Sequence, residues 1–293
     1  MGRKSLANNP GRRGRSDRSI PVEVQPVSVG SVDNAEELQG LGVGAAEGNV
    51  RRKRQREKKP VDAYGSPHGL YKLIGEMTEE QKLSVKEVGF GGLLELKASN
   101  FYHIMLPFLL EAYDSNSNMF IVDESKCCAI TPLDVYDIFM IPGEGGMKVD
   151  AMSLTKKNYP DMDKVDAMRT KFGVGPADDV PLEAIYAAML KLKDGGDDFK
   201  RYFVLYAMSS FLAPTAHNQV DYRLVRVVDD VDNIKNLDWC CYVLDKLGSV
   251  VETYKRRNTK NVGGCMFVLQ LVYFHRLVWR GRKEPADLPL LKH

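Results

Sequence analysis

Five cysteines, five histidines and several clustered aspartates are the residues whose types could support covalent or metal chemistry. The cysteines fall as two adjacent pairs, Cys127-Cys128 and Cys240-Cys241, plus Cys265. None forms a CxxC, and no histidine stands at a zinc-ligand spacing from them. A thiol protease would draw its nucleophile from this set and its base from His103, His217 or His275. Cys240, Cys241 and Cys265 lie in apolar helical contexts, where a thiol behaves as a small hydrophobe and gains no stabilisation as thiolate. Asp161-Met162-Asp163 and Asp229-Asp230-Val231-Asp232 carry enough carboxylates for a hydrated cation. Acids crowding helix starts and loops are the commoner reason for such runs. Arg276 and Arg280 beside Trp279 fit either a phosphate contact or a helix edge anchored by the indole. Gly89-Phe90-Gly91-Gly92 invites a phosphate-loop reading, but GxGxxG would place glycine where Leu94 stands, and no Gly-Lys-Ser/Thr follows. Close packing of backbone or positive φ explains these glycines better. No catalytic, cofactor-binding or metal-binding residue is assigned, and no cofactor is expected.

Charge divides the chain. Residues 1–60 carry 13 Lys/Arg against 7 Asp/Glu, and the remainder 28 against 32, so a basic tail precedes a mildly acidic body. The tail has neither helical nor alternating periodicity and too little apolar surface to offset ordering, so residues 1–69 are expected to form a disordered basic tail. Within it Arg51, Arg52, Lys53, Arg54, Arg56, Lys58 and Lys59 form a dense cationic run suited to an importin groove, which predicts a nuclear protein. A solvated linker is the plain alternative. An acidic body argues against a broad phosphate-tracking groove, so nucleic acid is a weaker partner expectation than a nuclear protein. The first 20 residues are Arg-rich without an apolar core, and the most apolar run, Cys265 to Trp279, is too short to span a bilayer. No membrane partner is expected.

The elements that must position these residues are mostly helical. Thr78-Glu79-Glu80-Gln81 reads as a capping box, where order should begin, with a short helix to Lys86. A segment from Asn100 to Tyr113, broken or restarted at Pro107, is expected to bury Ile104, Leu106, Phe108, Leu109 and Leu110. Met119–Val122 and Cys127–Ile130 read as a hairpin, and Thr131-Pro132-Leu133-Asp134 as the clearest helix start, running to Met140. Gly143 to Lys148 reads as a flexible turn. Further helices are expected over Met162–Phe172, after Pro181, over Phe199–Leu212, from Asn236 to Arg257 and over Cys265–Trp279, the last two as an antiparallel pair. The fold class is mainly α: a single helical domain over 70–285 with one small β-hairpin, followed by a C-terminal tail over 286–293.

The order of motifs carries more than any one of them. Val88-Gly89-Phe90-Gly91-Gly92-Leu93-Leu94-Glu95-Leu96, the apolar helix, the hairpin, Ile130-Thr131-Pro132-Leu133-Asp134-Val135 and Ile141-Pro142-Gly143-Glu144-Gly145-Gly146 follow in turn. Phe211-Leu212-Ala213-Pro214-Thr215, Asn236-Leu237-Asp238-Trp239 and Gly263-Gly264-Cys265-Met266-Phe267 continue the series. Over roughly residues 85–280 this resembles the plant mobile domain family, also labelled aminotransferase-like. The start of one helix, Phe101-Tyr102-His103-Ile104-Met105, is less polar than that family's pattern. The resemblance implies a transposon-derived plant protein, a non-enzymatic nuclear interaction module in genome maintenance or transposon silencing. It also implies an alternative, the accessory region of a SUMO-type cysteine protease without its catalytic half. Pyridoxal chemistry would need a phosphate cup as well as a Schiff-base lysine, and no cup is identified, so the aminotransferase label carries no expected activity.

Overall fold

The computed structural model describes residues 61–97, 102–151, 155, 157–215 and 217–278. The basic run Arg51–Lys59, Trp279 and Arg280 therefore lie outside the described residues. Helices dominate, joined by short strands. Order begins ahead of Thr78, with strand β1 (Asp62–Ala63) and helix α1 (His68–Glu76), which buries Leu70 and Leu73. Helix α2 (Glu79–Glu87) starts on the expected capping box. Thr78 Oγ1 accepts from the Gln81 N–H at 3.2 Å, and the Thr78 N–H donates to Gln81 Oε1 at 2.9 Å. The other end of the buried Gln81 amide donates to the carbonyls of Met189 and Leu192 at 2.8 and 2.9 Å. One side chain thus caps its own helix and satisfies carbonyls at the end of another.

The glycine knot is a packing device. Gly89 has φ +86°, and a Cβ on Gly92 would run into the Phe139 carbonyl oxygen. Between them Phe90 is fully buried, its ring 5.7 Å from Trp239 and 6.5 Å from Phe203, both edge-on. A 3₁₀ turn over Gly91–Glu95 follows. A second 3₁₀ turn, His103–Met105, leads into α3 (Leu106–Ala112), where Pro107 sits in the first turn. The helix therefore restarts at the proline. Strands β2 (Tyr113–Asp114), β3 (Met119–Asp123) and β4 (Lys126–Ala129) make a three-stranded antiparallel sheet, one strand more than the expected hairpin.

Helix α4 (Pro132–Phe139) turns one face, Val135 and Phe139, into the core and stops at Met140 with φ +46°. The expected flexible turn after it is docked: β5 (Met147–Lys148) pairs in parallel with β6 (Leu237–Asp238). The remaining helices are α5 (Met162–Lys171), α6 (Leu182–Met189), α7 (Asp197–Ala207), α8 (Trp239–Arg257) and α9 (Met266–Val272). Strand β7 (Asn261–Val262), between α8 and α9, pairs in parallel with β1. The sequence gives α7 and α9 as single long apolar helices, but each passes into a π-helical turn, Met208–Leu212 and Tyr273–Val278. The last two helices, expected as an antiparallel pair, share a partner, since both α8 and α9 pack on α4. Phe139, Phe211 and Phe267 form an aromatic chain with centroids 5.6 and 5.7 Å apart, joining α4, the first π turn and α9.

Candidate functional site

Helix α4 and the turn after α9 enclose a cleft of about 150 Å³ lined by Asp134, Asp137, Ile138, Leu271, Val272, His275 and Arg276. Asp134 is placed by the helix start. Its carboxylate accepts from the Thr131 N–H at 2.7 Å and the Thr131 hydroxyl at 2.9 Å, and it forms an ion pair with Arg276. Arg276 also donates to the Ala129 carbonyl, so one guanidinium ties the sheet, α4 and the last turn together. Asp137 and Ile138, three and four residues beyond Asp134, follow on the same helical face. The π turn changes the angular step between successive side chains. His275 and Arg276 reach the cleft from it, and Leu271 and Val272 from the end of α9.

The electrostatics are uneven. Asp134 is paired with Arg276, whereas Asp137 makes no ion pair among the described residues. Burial, then the neighbouring Asp134 carboxylate, push the Asp137 carboxyl above its ordinary value, against a weaker downward pull from Arg276 and His275. His275 Nε2 is buried and has no hydrogen-bond partner among the described residues. A buried imidazole nitrogen left unpaired costs free energy. Of the three histidines singled out by sequence, His275 lines this cleft. His103 and His217 are exposed.

The cysteines are not brought together with them as nucleophiles. Burial first, and then Asp238, raise the Cys240 and Cys241 thiols to about 12. Burial alone is the leading cause for Cys265, also raised to about 12. Cys127 is exposed on β4, and Cys128 beside it is half-buried. The two aspartate clusters do meet, but through salt bridges: Lys164 to Asp229 at 2.6 Å and Arg226 to Asp161 at 2.9 Å. Among the described residues, no three His, Cys, Asp or Glu side chains converge to hold a metal ion.

A buried charge cluster lies elsewhere. Asp221 accepts from Arg223 at 2.7 and 2.5 Å and faces Lys246 at 3.5 Å. Burial would raise the Asp221 carboxyl, but the Arg223 hydrogen bonds and charge, with Lys246, bring it below its ordinary value. Burial lowers the Lys246 ammonium, outweighing the Asp221 attraction. The three are neighbours of one another and hold the loop before β6 against α8.

On the surface, the entry to α3 departs from expectation. Ile104 and Phe108, both expected in the core, are 91% and 40% exposed, and Tyr102 is 64% exposed. Phe108 packs edge-on against Tyr273 at 5.2 Å, so this apolar face runs into the turn that carries His275 and Arg276. The spacing of four between Ile104 and Phe108 put both on one face, but nothing local says which way that face points. Among the described residues no helix is long and apolar enough to cross a membrane.

A family model described as a domain of unknown function, DUF8566, matches residues 65–270, more than two thirds of the chain and nearly all of the elements above. Comparison with curated proteins and with solved structures returned no match.

Proposed function

The chain belongs to the DUF8566 family, and we propose that it is a non-enzymatic nuclear interaction module, held together by its helical core and reaching a protein partner through the face at the start of α3. The observation that carries this reading is the exposure of Tyr102, Ile104 and Phe108 within seven residues at the start of α3, since exposed large apolar side chains grouped in one stretch mark a contact site. The raised thiols agree with it: Cys240, Cys241 and Cys265 stay protonated near neutrality and so offer no ready nucleophile. The likeness of motif order to the plant mobile domain family supports a transposon-derived origin and a role in genome maintenance or transposon silencing. Entry to the nucleus rests on importin binding to Arg51, Arg52, Lys53, Arg54, Arg56, Lys58 and Lys59.

Ile104→Asp tests the contact face with little risk to the fold, because the side chain is already in water. Affinity capture from nuclear extract with the wild-type chain recovers a protein partner, and the variant loses it while melting at an unchanged temperature. Equal recovery by both chains, or recovery of no partner by either, overturns the reading. A fluorescent fusion with Arg51–Lys59 changed to alanine leaves the nucleus; unchanged nuclear retention removes the import claim.

A further inference from the structure

We propose that the C-terminal end of α8, together with Arg56, Lys58 and Lys59 of the basic run, is a contact surface for the phosphates of duplex nucleic acid. The inference goes beyond the protein-partner reading and uses a different part of the molecule from the α3 face.

Chain connectivity brings the two stretches together. The Asp62 N–H donates to the Lys260 carbonyl at 3.0 Å, and the Tyr64 N–H to the Val262 carbonyl at 2.8 Å, as β1 runs parallel to β7. The chain therefore enters the fold beside the loop that follows α8. Lys59 stands three residues before Asp62, so its Cα lies within about 11 Å of that residue whatever path the chain takes. Cations far apart in sequence are thus confined to one end of the fold.

Charge marks that end. Arg256, Arg257 and Lys260 are exposed, and none makes an ion pair among the described residues. Other cations of the body are spent on carboxylates, as at Lys164, Lys171, Lys200 and Arg226. Lys255 donates to the carbonyls of Glu111 and Tyr113 at 3.2 and 2.7 Å, which fixes the last turn of α8 against the end of α3. Positive charge in a last turn complements the helix dipole. That accounts for Arg256 and Arg257 but not for Lys260, which lies beyond the Asn258 cap. Glu252 and Asp62, the exposed acids on the same elements, leave the cluster net positive.

The kind of partner follows from what the surface lacks. From Lys255 to Asn261 every residue is polar. Protein interfaces are built around aromatic and aliphatic anchors and are depleted in lysine. A basic segment on a membrane surface inserts apolar side chains beneath its charges. Single strands are held by bases stacked on aromatic rings. Tyr64, the nearest ring on β1, is half-buried, and its hydroxyl accepts from the Asn261 amide at 3.0 Å. The phosphates of a duplex need only cations and neutral donors such as the exposed Asn258 amide. Because Arg56, Lys58 and Lys59 also belong to the import run, an import receptor and a duplex compete for them.

The test uses the full chain and a labelled DNA duplex of about 20 bp, followed by fluorescence anisotropy between about 50 and 200 mM salt. Each phosphate contact contributes about 0.9 to the slope of log affinity against log salt, so Arg256→Gln/Arg257→Gln/Lys260→Gln lowers the slope by about 2–3. Arg256→Lys/Arg257→Lys keeps the charge and keeps the slope. Lys191→Gln/Lys193→Gln/Lys235→Gln removes three exposed cations elsewhere and leaves the slope at its wild-type value. All of these changes fall on exposed side chains, and melts that match the wild type show that a lost slope is not a lost fold. An unchanged slope in the α8 variant, an equal fall in the Lys191 variant, or no binding by the wild-type chain at low salt overturns the surface. Polyglutamate that displaces the duplex at equal charge concentration would assign the surface to an acidic protein and overturns it as well. Neither the duplex nor these variants involves Ile104, so the capture experiment succeeds or fails independently.

Discussion

At the scale of single residues, the same side-chain type plays opposite roles according to what surrounds it. Gly92 and Gly75 show this most simply. A methyl group on Gly92 meets the Phe139 carbonyl, and backbone cannot step aside as a side-chain tip can. Gly92→Ala is expected to cost about 1–3 kcal/mol by overpacking. Gly75 lies within α1 with nothing near its missing Cβ, so Gly75→Ala should gain about 0.5–1 kcal/mol from helix propensity. Urea midpoints that move in opposite directions check both. Aspartates divide likewise. Asp137 faces an open cleft with its carboxyl pushed up, while Asp221 is enclosed by Arg223 and Lys246 and held below its ordinary 3.8. A folded-state value below the unfolded one means that Asp221 stabilises the fold fully above that range and loses its contribution as pH falls through the folded-state pKa. Asp221→Asn leaves two cations without their counter-charge, and breaking such a buried group costs about 3–5 kcal/mol near neutrality. Its stability should then fall less steeply below about pH 4 than that of the wild-type chain. Denaturant melts at pH 3 and pH 7 for both proteins read this out; parallel acid limbs would remove Asp221 as a source of acid sensitivity.

At the scale of elements, what could be read from the sequence was what is local. The Thr78–Gln81 box and the Thr131–Asp134 start each lie within one helical turn, and both form as the spacing predicts. Pro107 at a first turn and the Met119–Ala129 hairpin are local in the same sense. Helix α1 carries little local signal because Leu70 and Leu73 are its only buried residues and Gly69 and Gly75 dilute its pattern. The exposure of Ile104 carries none, because a run of apolar residues says how much surface wants burial and not how much the neighbours can cover. The parallel pairs β1–β7 and β5–β6 join residues remote in sequence, and the two π turns depend on what each helix packs against. Half of the cleft is legible, since Asp134 is the first-turn carboxylate of the Thr131 helix start; its meeting with His275 and Arg276 comes only through the packing of α9 on α4. That meeting has a measurable consequence. Thr131 and Arg276 both hold the Asp134 carboxylate. Thr131→Ala should cost about 1 kcal/mol as a lost cap. The Thr131→Ala/Arg276→Met double mutant should depart from additivity by about 0.5 kcal/mol or more, because one acceptor serves both partners. Additive losses in the cycle would mean that cap and cleft are independent.

At the scale of the whole molecule, charge separates what the two parts of the sequence can bind. The described elements belong to a body with 28 Lys/Arg against 32 Asp/Glu, and many of its cations are spent internally, as at Lys164, Arg226 and Arg276. Lys171 and Lys200 are similarly engaged, with Asp198 and Glu87. Such a surface offers little to a phosphate backbone, whereas the seven cations between Arg51 and Lys59 are closely spaced in the sequence. Any affinity of the full chain for duplex DNA should therefore depend on that run. If six or seven of these cations release counterions on contact, affinity falls about 10³-fold or more between 50 and 200 mM salt, so at physiological salt little binding remains. Fluorescence anisotropy of a labelled duplex, titrated at four salt concentrations, measures the slope directly. Replacing the seven residues by alanine should abolish binding even at 50 mM. A variant that keeps the wild-type slope would mean that the acidic body carries a phosphate-tracking face of its own, and the partner expected at the α3 face would then have to be sought among nucleic acids.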